Sequence, residues 1–196
     1  AVPEAANTQD FIGLNYYSKN QWLHKGPHLV PGDLFYKPFR NILREVYLRY
    51  QRSLFVAETG AEDEVRPNWF RYVSEEVYAA LQKGIPVEGI CLYPILNHPG
   101  WDDERHCHNG LWDYLDEQGE RQIYEPLASE VKRQQQIFQQ WQQQQLVFTQ
   151  HRNGSDPREV KAASGLTLCL FTDSLEPSGM AEHMLALAAS LLDHHQ

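Results

Sequence analysis

Three short apolar runs constrain this chain more than any other feature. Asp10–Tyr17 (DFIGLNYY), Ser53–Ala57 (SLFVA) and Val87–Tyr93 (VEGICLY) have strand length, and each leads into polar or aromatic residues. Between them the apolar pattern changes period. Phe39, Ile42, Leu43, Val46, Tyr47 and Tyr50 recur every three or four positions, as do Trp69, Val73, Val77, Ala80 and Leu81 after Pro67-Asn68. Asn68 is expected to cap this second helix, and Gly84 with Pro86 to end it. The first run, Asp10–Tyr17, is expected to be a buried strand. Strand, helix, strand, helix, strand at this spacing predicts an α/β fold with a parallel sheet and crossover helices. Ligands of such sheets sit beyond the carboxyl ends of the strands, which here carry Asn15, Tyr17, Glu58 and the loop after Tyr93.

The remaining segments read differently. Residues 18–38 are rich in Gly, Pro, His and Lys and predict a long loop, of the kind that serves or covers a site. Residues 123–148 contain a glutamine tract from Gln134 to Gln145. Gln is a fair helix former, and Leu127, Val131, Phe138, Trp141 and Leu146 make a sparse stripe. A helix packed at its start and exposed later is expected, with a disordered tract as the alternative. Residues 150–165 have linker composition. Leu166–Phe171 is a further apolar strand, followed by Thr172–Gly179 (TDSLEPSG) and an amphipathic helix pattern from Met180. The division expected is a first unit over 1–149, a linker over 150–165 and the start of a second α/β unit over 166–196. The chain does not start with Met, and the whole reads as an internal piece of a longer protein.

Composition excludes several classes. With 42% hydrophobic and 12% aromatic residues, the chain has material for a core and is not wholly disordered. Its net charge of −9 is spread along its length, which leaves no basic face for nucleic acid or an anionic membrane. No run has the length of a membrane span. The 3 cysteines are too few and too scattered for a disulfide framework, so a cytoplasmic setting is the plain expectation.

Glu58 is the sharpest chemical candidate. It ends an apolar strand, and a carboxylate held by a rigid strand suits a nucleophile or general base; a solvated rim acid is the plainer alternative. Asn15 and Tyr17 share a face by alternation, and a Tyr hydroxyl there is suited to hold a carboxylate on the next strand. In Trp101–His108 (WDDERHCH) a flat aromatic stands beside three acids, the combination that sugar rings and hydroxyls require. His106-Cys107-His108 lacks the spacing of structural zinc sites and has no second pair, so no metal is expected, nor any cofactor.

Taken together, these strand ends resemble the last third of the glycoside hydrolase family 1 (β-glucosidase-like) barrel. In that family strand six reads DF-x-G-x-NYY, as Asp10 to Tyr17 do. Strand seven reads ITENG with Glu as nucleophile, and here it is Val56-Ala57-Glu58-Thr59-Gly60, preceded by the RY pair Arg49-Tyr50. Strand eight reads WSLLDNFEW and then F-G-L, matched in spacing by Tyr93 to Trp101 and by Asn109-Gly110-Leu111. The resemblance covers residues 10–133. It implies the last three units of a (β/α)8 barrel, Glu58 as nucleophile, Tyr17 positioning it, and Asn15, Tyr93, Asn97 and Trp101 holding a carbohydrate substrate. Tyr93 stands where the family has Trp. Gly100 stands at the family's sugar-hydroxyl-binding Glu, a gap that Asp102, Asp103 or Glu104 is placed to fill. The family's acid/base motif, Asn-Glu-Pro, is absent, and retaining hydrolysis needs that second carboxyl. Three units also leave both outer strands, Asp10–Tyr17 and Val87–Tyr93, with open apolar edges that favour association.

Residues 166–196 resemble the first strand, loop and helix of glycosyltransferase family 4, whose D-x-L-x-x-G-G-like loop corresponds to Asp173 through Gly179. That resemblance implies a Rossmann-like start in which Ser178 and Gly179 face a sugar nucleotide. The expected parent is a retaining β-glycosidase-like hydrolase fused to a glycosyltransferase. The alternative is a degenerate barrel that binds sugar without catalysis.

Overall fold

The computed structural model describes residues 9–153 and 167–170. Four parallel strands form the main sheet, in the order β1 (Phe11–Asn15), β2 (Ser53–Thr59), β3 (Val87–Leu92) and β6 (Thr167–Leu170). Helices α1 (Phe39–Tyr50), α2 (Arg66–Leu81) and α3 (Glu125–Asn153) alternate with these strands along the chain. A small antiparallel pair, β4 (Trp112–Leu115) and β5 (Arg121–Ile123), lies between β3 and α3.

The core lies between the sheet and the helices. Leu54 and Val56 of β2, Phe39 and Leu43 of α1, and Val73 and Val77 of α2 are all 0% exposed. Removing such side chains from water is the main term favouring the fold. Polar contacts lock the helices in place. Glu76 of α2 accepts from the Arg40 backbone N–H at 2.9 Å and from its guanidinium at 2.6 Å, so an anion sits at the start of α1. At the other end of α1, Gln51 is left-handed (φ 51°), and its side-chain amide donates to the Tyr47 and Leu48 carbonyls at 3.2 and 3.1 Å. Glu130 of α3 accepts from Arg71 of α2 at 2.7 Å, from Arg133 at 2.9 Å and from Gln134 at 2.6 Å. Those donors outweigh its burial and hold its carboxyl down at about 2.

Several expectations need correction. Asn68 does not cap α2: a 3-10 turn over Asp63–Val65 runs straight into the helix, Val65 takes the cap position, and Pro67 occupies the first turn. The run Asp10–Tyr17 is not buried throughout, because β1 alternates between half-buried and exposed residues. The edge of β3 expected to be open is occupied, with Gly89, Ile90, Cys91 and Leu92 in register with Thr167 through Leu170. The glutamine tract is helical, and its first half packs more closely than its composition indicates. Gln134 is 3% exposed and Phe138 3%, and the rings of Phe138 and Trp141 meet Tyr78 edge-on at 6.0 and 6.3 Å. No helix among the described residues is long and apolar enough to cross a membrane.

Candidate active site

The site is built where the carboxyl ends of β1, β2 and β3 meet. Leu54 and Val56 point into the helix-covered core, and strict alternation along β2 would send Glu58 after them. The register prevents this. Leu14 pairs with Val56 but Asn15 pairs with Glu58, so β2 carries one extra residue, Ala57. That bulge gives the buried position to Thr59, 0% exposed, and turns Glu58 towards Asn15 and Tyr17.

Both carboxylate oxygens of Glu58 are then held. Asn15 Nδ2 donates to Oε2 at 2.6 Å, and the Tyr17 hydroxyl donates to Oε1. Burial first, and then the hydrogen bond to Glu58, push the Tyr17 phenol above its ordinary pKa, so it remains a donor through the neutral range. Glu58 itself is half-buried, and the carboxylate is thus oriented at a solvent-reachable strand end.

Support for this pair comes from residues that sequence reasoning passed over. Trp69 Nε1 donates to Thr59 Oγ1 at 3.0 Å, and Thr59 Oγ1 donates to the Tyr16 carbonyl at 2.7 Å. Tyr16 N donates to the Glu58 carbonyl at 2.9 Å, and the Tyr16 ring stacks on Phe39 at 3.9 Å. The backbone on either side of the Tyr17–Glu58 contact is therefore tied to the core. A hydroxyl residue between the strand-end acid and a glycine was the available signal. Gly60 is needed because a Cβ there would lie 1.9 Å from the Tyr93 carbonyl oxygen. The same close approach places Tyr93, half-buried, near enough to Tyr17 to add to its shift.

The loop after β3 divides the remaining candidates. Asn97, expected to bind sugar, is 4% exposed. Its Nδ2 donates to Asp113 at 2.6 Å, and its Oδ1 accepts from Gly110 N at 2.7 Å, so its amide anchors the loop. Trp101 stands 83% exposed at the rim, outside the hydrogen-bonded cluster. Of the three acids beside it, Asp103 is the one that folds back: its Oδ1 lies 2.1 Å from where a Cβ on Gly100 would be. Arg105 clamps Glu62, from the link after β2, at 2.8 and 3.1 Å and holds its carboxyl below the usual range. His106, Cys107 and His108 all gather at Tyr114, whose ring meets His108 edge-on at 5.8 Å and whose hydroxyl donates to the Cys107 carbonyl at 3.1 Å. His106 stacks on Tyr114 at 4.8 Å, Cys107 is buried, and His108 lies 3.5 Å from Asp113. Ser178 and Gly179 lie outside the described residues.

No protein-family model matches the chain. It is 30% identical, over 108 residues, to the chloroplastic galactolipid galactosyltransferase SFR2 of Arabidopsis thaliana, an alignment that takes in 48% of this chain and 17% of that protein. Among solved structures it is similar to the β-glycosidase of the hyperthermophile Thermosphaera aggregans, with a TM-score of 0.52 and 20% identity over 67% of this chain and 33% of that one. The family 1 β-glucosidase of Thermotoga maritima gives 0.47 and 18% over 62% and 33%. The chain thus spans about a sixth of the curated relative and a third of these glycosidases. At the level of fold, the described residues form a mixed α/β structure similar to the β-glycosidase of Thermosphaera aggregans.

Proposed function

We propose that this chain contributes the nucleophile half of a glycosidic-bond-cleaving site, as the last three β/α units of a barrel. Glu58 attacks the anomeric carbon, and the leaving oxygen takes its proton from an acid outside this chain. Tyr17 and Asn15 fix the carboxylate for attack. Tyr93 and Trp101 offer rings to the sugar, and Asp103 stands in for the carboxylate missing at Gly100. The observation that carries the reading is the hold on Glu58 at both oxygens, produced by a bulge that brings an acid out of the core-facing register.

A 2-deoxy-2-fluoro-glycoside with a good leaving group tests it in the complete protein. Label on Glu58, lost in Glu58→Gln, is the expected result. Label on Asp102, Asp103 or Glu104, or near-normal turnover by Glu58→Gln, would falsify it. Residues 1–196 alone are expected to be inactive, because the second carboxyl is absent.

A second reading concerns the acceptor. The match to a galactolipid galactosyltransferase favours transfer of the sugar from Glu58 to another glycolipid in place of water. Both reactions share the covalent step and part at the second. Galactolipid products longer by one sugar mark transfer, and free sugar marks hydrolysis. For residues 166–196, the loop with Ser178 and Gly179 supports a sugar-nucleotide unit. Protection of that segment by a uridine diphosphate sugar, measured by hydrogen exchange, is the test.

A further inference from the structure

The loop after β3 is tied to a short stretch of chain just beyond Glu58. Residues 97–110 leave the sheet and return to where they began. The Asn97 side chain holds Gly110 N, and a Cβ on Gly110 would lie 2.3 Å from the Leu96 carbonyl carbon, so the two ends of the loop are pressed together. Three ties then run to residues 62–66. Arg105 clamps Glu62, and the Asp63 N–H donates to the His108 carbonyl at 2.7 Å. Arg66 supplies the third. Its Nη1 donates to the Gly110 carbonyl at 2.7 Å, while its Nε donates to the Asp63 carbonyl at 2.8 Å. The guanidinium is buried, with the whole residue 7% exposed, and it lies 3.6 Å from the centre of the Tyr124 ring. Burial works against its charge, and Tyr124, Asp113 and Asp63 favour it. A cation out of water is costly, and this one joins two backbone carbonyls from two different loops. Every partner in the cluster belongs to this chain.

From this geometry we infer that Arg66 is a positioning residue for sugar binding: it sets the loop that carries Trp101 and Asp103 relative to Glu58, and leaves the aim of Glu58 itself to the end of β1. The two tasks have separate holders. The Glu58 carboxylate takes its bonds from Asn15 and Tyr17, whereas the root of the loop takes one of its bonds from Arg66. The planar fork fixes the Gly110 and Asp63 carbonyls in one rigid frame, which a lysine cannot do because its ammonium is a single point on a flexible stem. Loss of the fork frees the root of the loop. A bound sugar then loses contacts, and a higher concentration is needed to fill the site, while the bond-forming step at Glu58 is unaltered. The inference deepens the glycoside reading and rests on it for what Trp101 and Asp103 bind, but not for the attachment of the loop.

Labelling of the complete protein by the 2-deoxy-2-fluoro-glycoside, followed over a range of concentrations, separates the two steps. In Arg66→Lys the concentration for half-maximal labelling should rise about tenfold, with the saturated rate within about twofold of the parent. Glu62→Gln, at a partly exposed ion pair, should show the same split at about threefold, and it decides the matter if Arg66→Lys does not fold. Hydrogen exchange reads the loop without any chemistry. The amides of Gly100, Cys107 and Gly110, each bonded across the loop, should exchange faster in Arg66→Lys, and those of Tyr16 and Tyr93, bonded to β2, should not change. If Glu58 takes no label in the parent, the glycoside reading fails and the exchange result stands. If exchange in the loop is unchanged, this inference fails and the labelling stands. An unchanged half-maximal concentration, or a saturated rate that falls as far as that concentration rises, overturns the proposal.

Discussion

The two flanks of the sheet are built to different standards. β3 is buried at five of its six positions, paired on both edges and backed by a helix pair latched through Glu130. β1 has no fully buried residue, and among the described residues it is paired along one edge. Glu58 stands on the strand between them and draws on both. Its backbone neighbourhood is pinned by Trp69 and Thr59, while its carboxylate is oriented by Asn15 and Tyr17 on the thinner flank. The difference teaches that holding a strand in place and aiming a side chain are separate tasks, carried out by different residues.

Substitutions that separate the flanks put this to the test. The largest effect should come from the thick side. Ile90→Ala, on β3 at a site with 2% exposure, should cost ~2–5 kcal/mol of the unfolding free energy of the full chain, measured by denaturant titration. Phe11→Ala on the thin side, 62% exposed, should stay within ~0.5 kcal/mol. Comparable losses at the two positions would mean that the flanks are equally packed.

A somewhat smaller effect is expected from acid. The Glu130 carboxyl is held at about 2 in the folded chain, below the ordinary glutamate value when unfolded. Its contribution is therefore complete above the unfolded pKa and fades as pH falls from there towards 2, by no more than ~3 kcal/mol in all. Glu130→Gln should be less stable than the parent at neutral pH, with the gap closing in acid. A gap independent of pH would place the latch in packing and not in charge.

The smallest effect should fall on the thin side and on turnover alone. Tyr17→Phe removes one hydrogen bond to a carboxylate, worth ~1.5–3 kcal/mol, so turnover in the complete protein should fall ~10-fold or somewhat more. Its unfolding midpoint should move little, because Tyr17 is half-buried at the sheet's end. A stability loss as large as that of Ile90→Ala would show that aiming and holding are not separate after all.

Much of the sheet was legible from periodicity. Leu54 and Val56 alternate, and Val73 and Val77 repeat at helical spacing, so β2 and α2 could be placed from the sequence alone. What escaped depends on neighbours. The bulge at Ala57 is a matter of register against Leu14 and Asn15, which no single strand encodes. Asn97 reads as a loop polar group until Gly110 folds onto it. The β4–β5 hairpin was passed over although Asp116 and Gly119 mark its turn; its strands are short, and their alternation is weak. Asp103 was one of three equal acids in the sequence, and the space above Gly100 distinguishes it.

The glutamine helix has a consequence for how this gene can drift. Runs of one amino acid can change in length, and each residue added to a helix rotates everything beyond it by about 100°. In α3 the rotation would be felt unevenly. A single Gln inserted between Val131 and Phe138 would swing Phe138 and Trp141 away from Tyr78, which both rings now touch, whereas seven, close to two full turns, would restore the facing side. Beyond Trp141, where Gln143, Gln144 and Gln145 are exposed, any number can be added without disturbing those rings. Length variation among natural copies of this helix should therefore gather after Trp141 and be scarce before it.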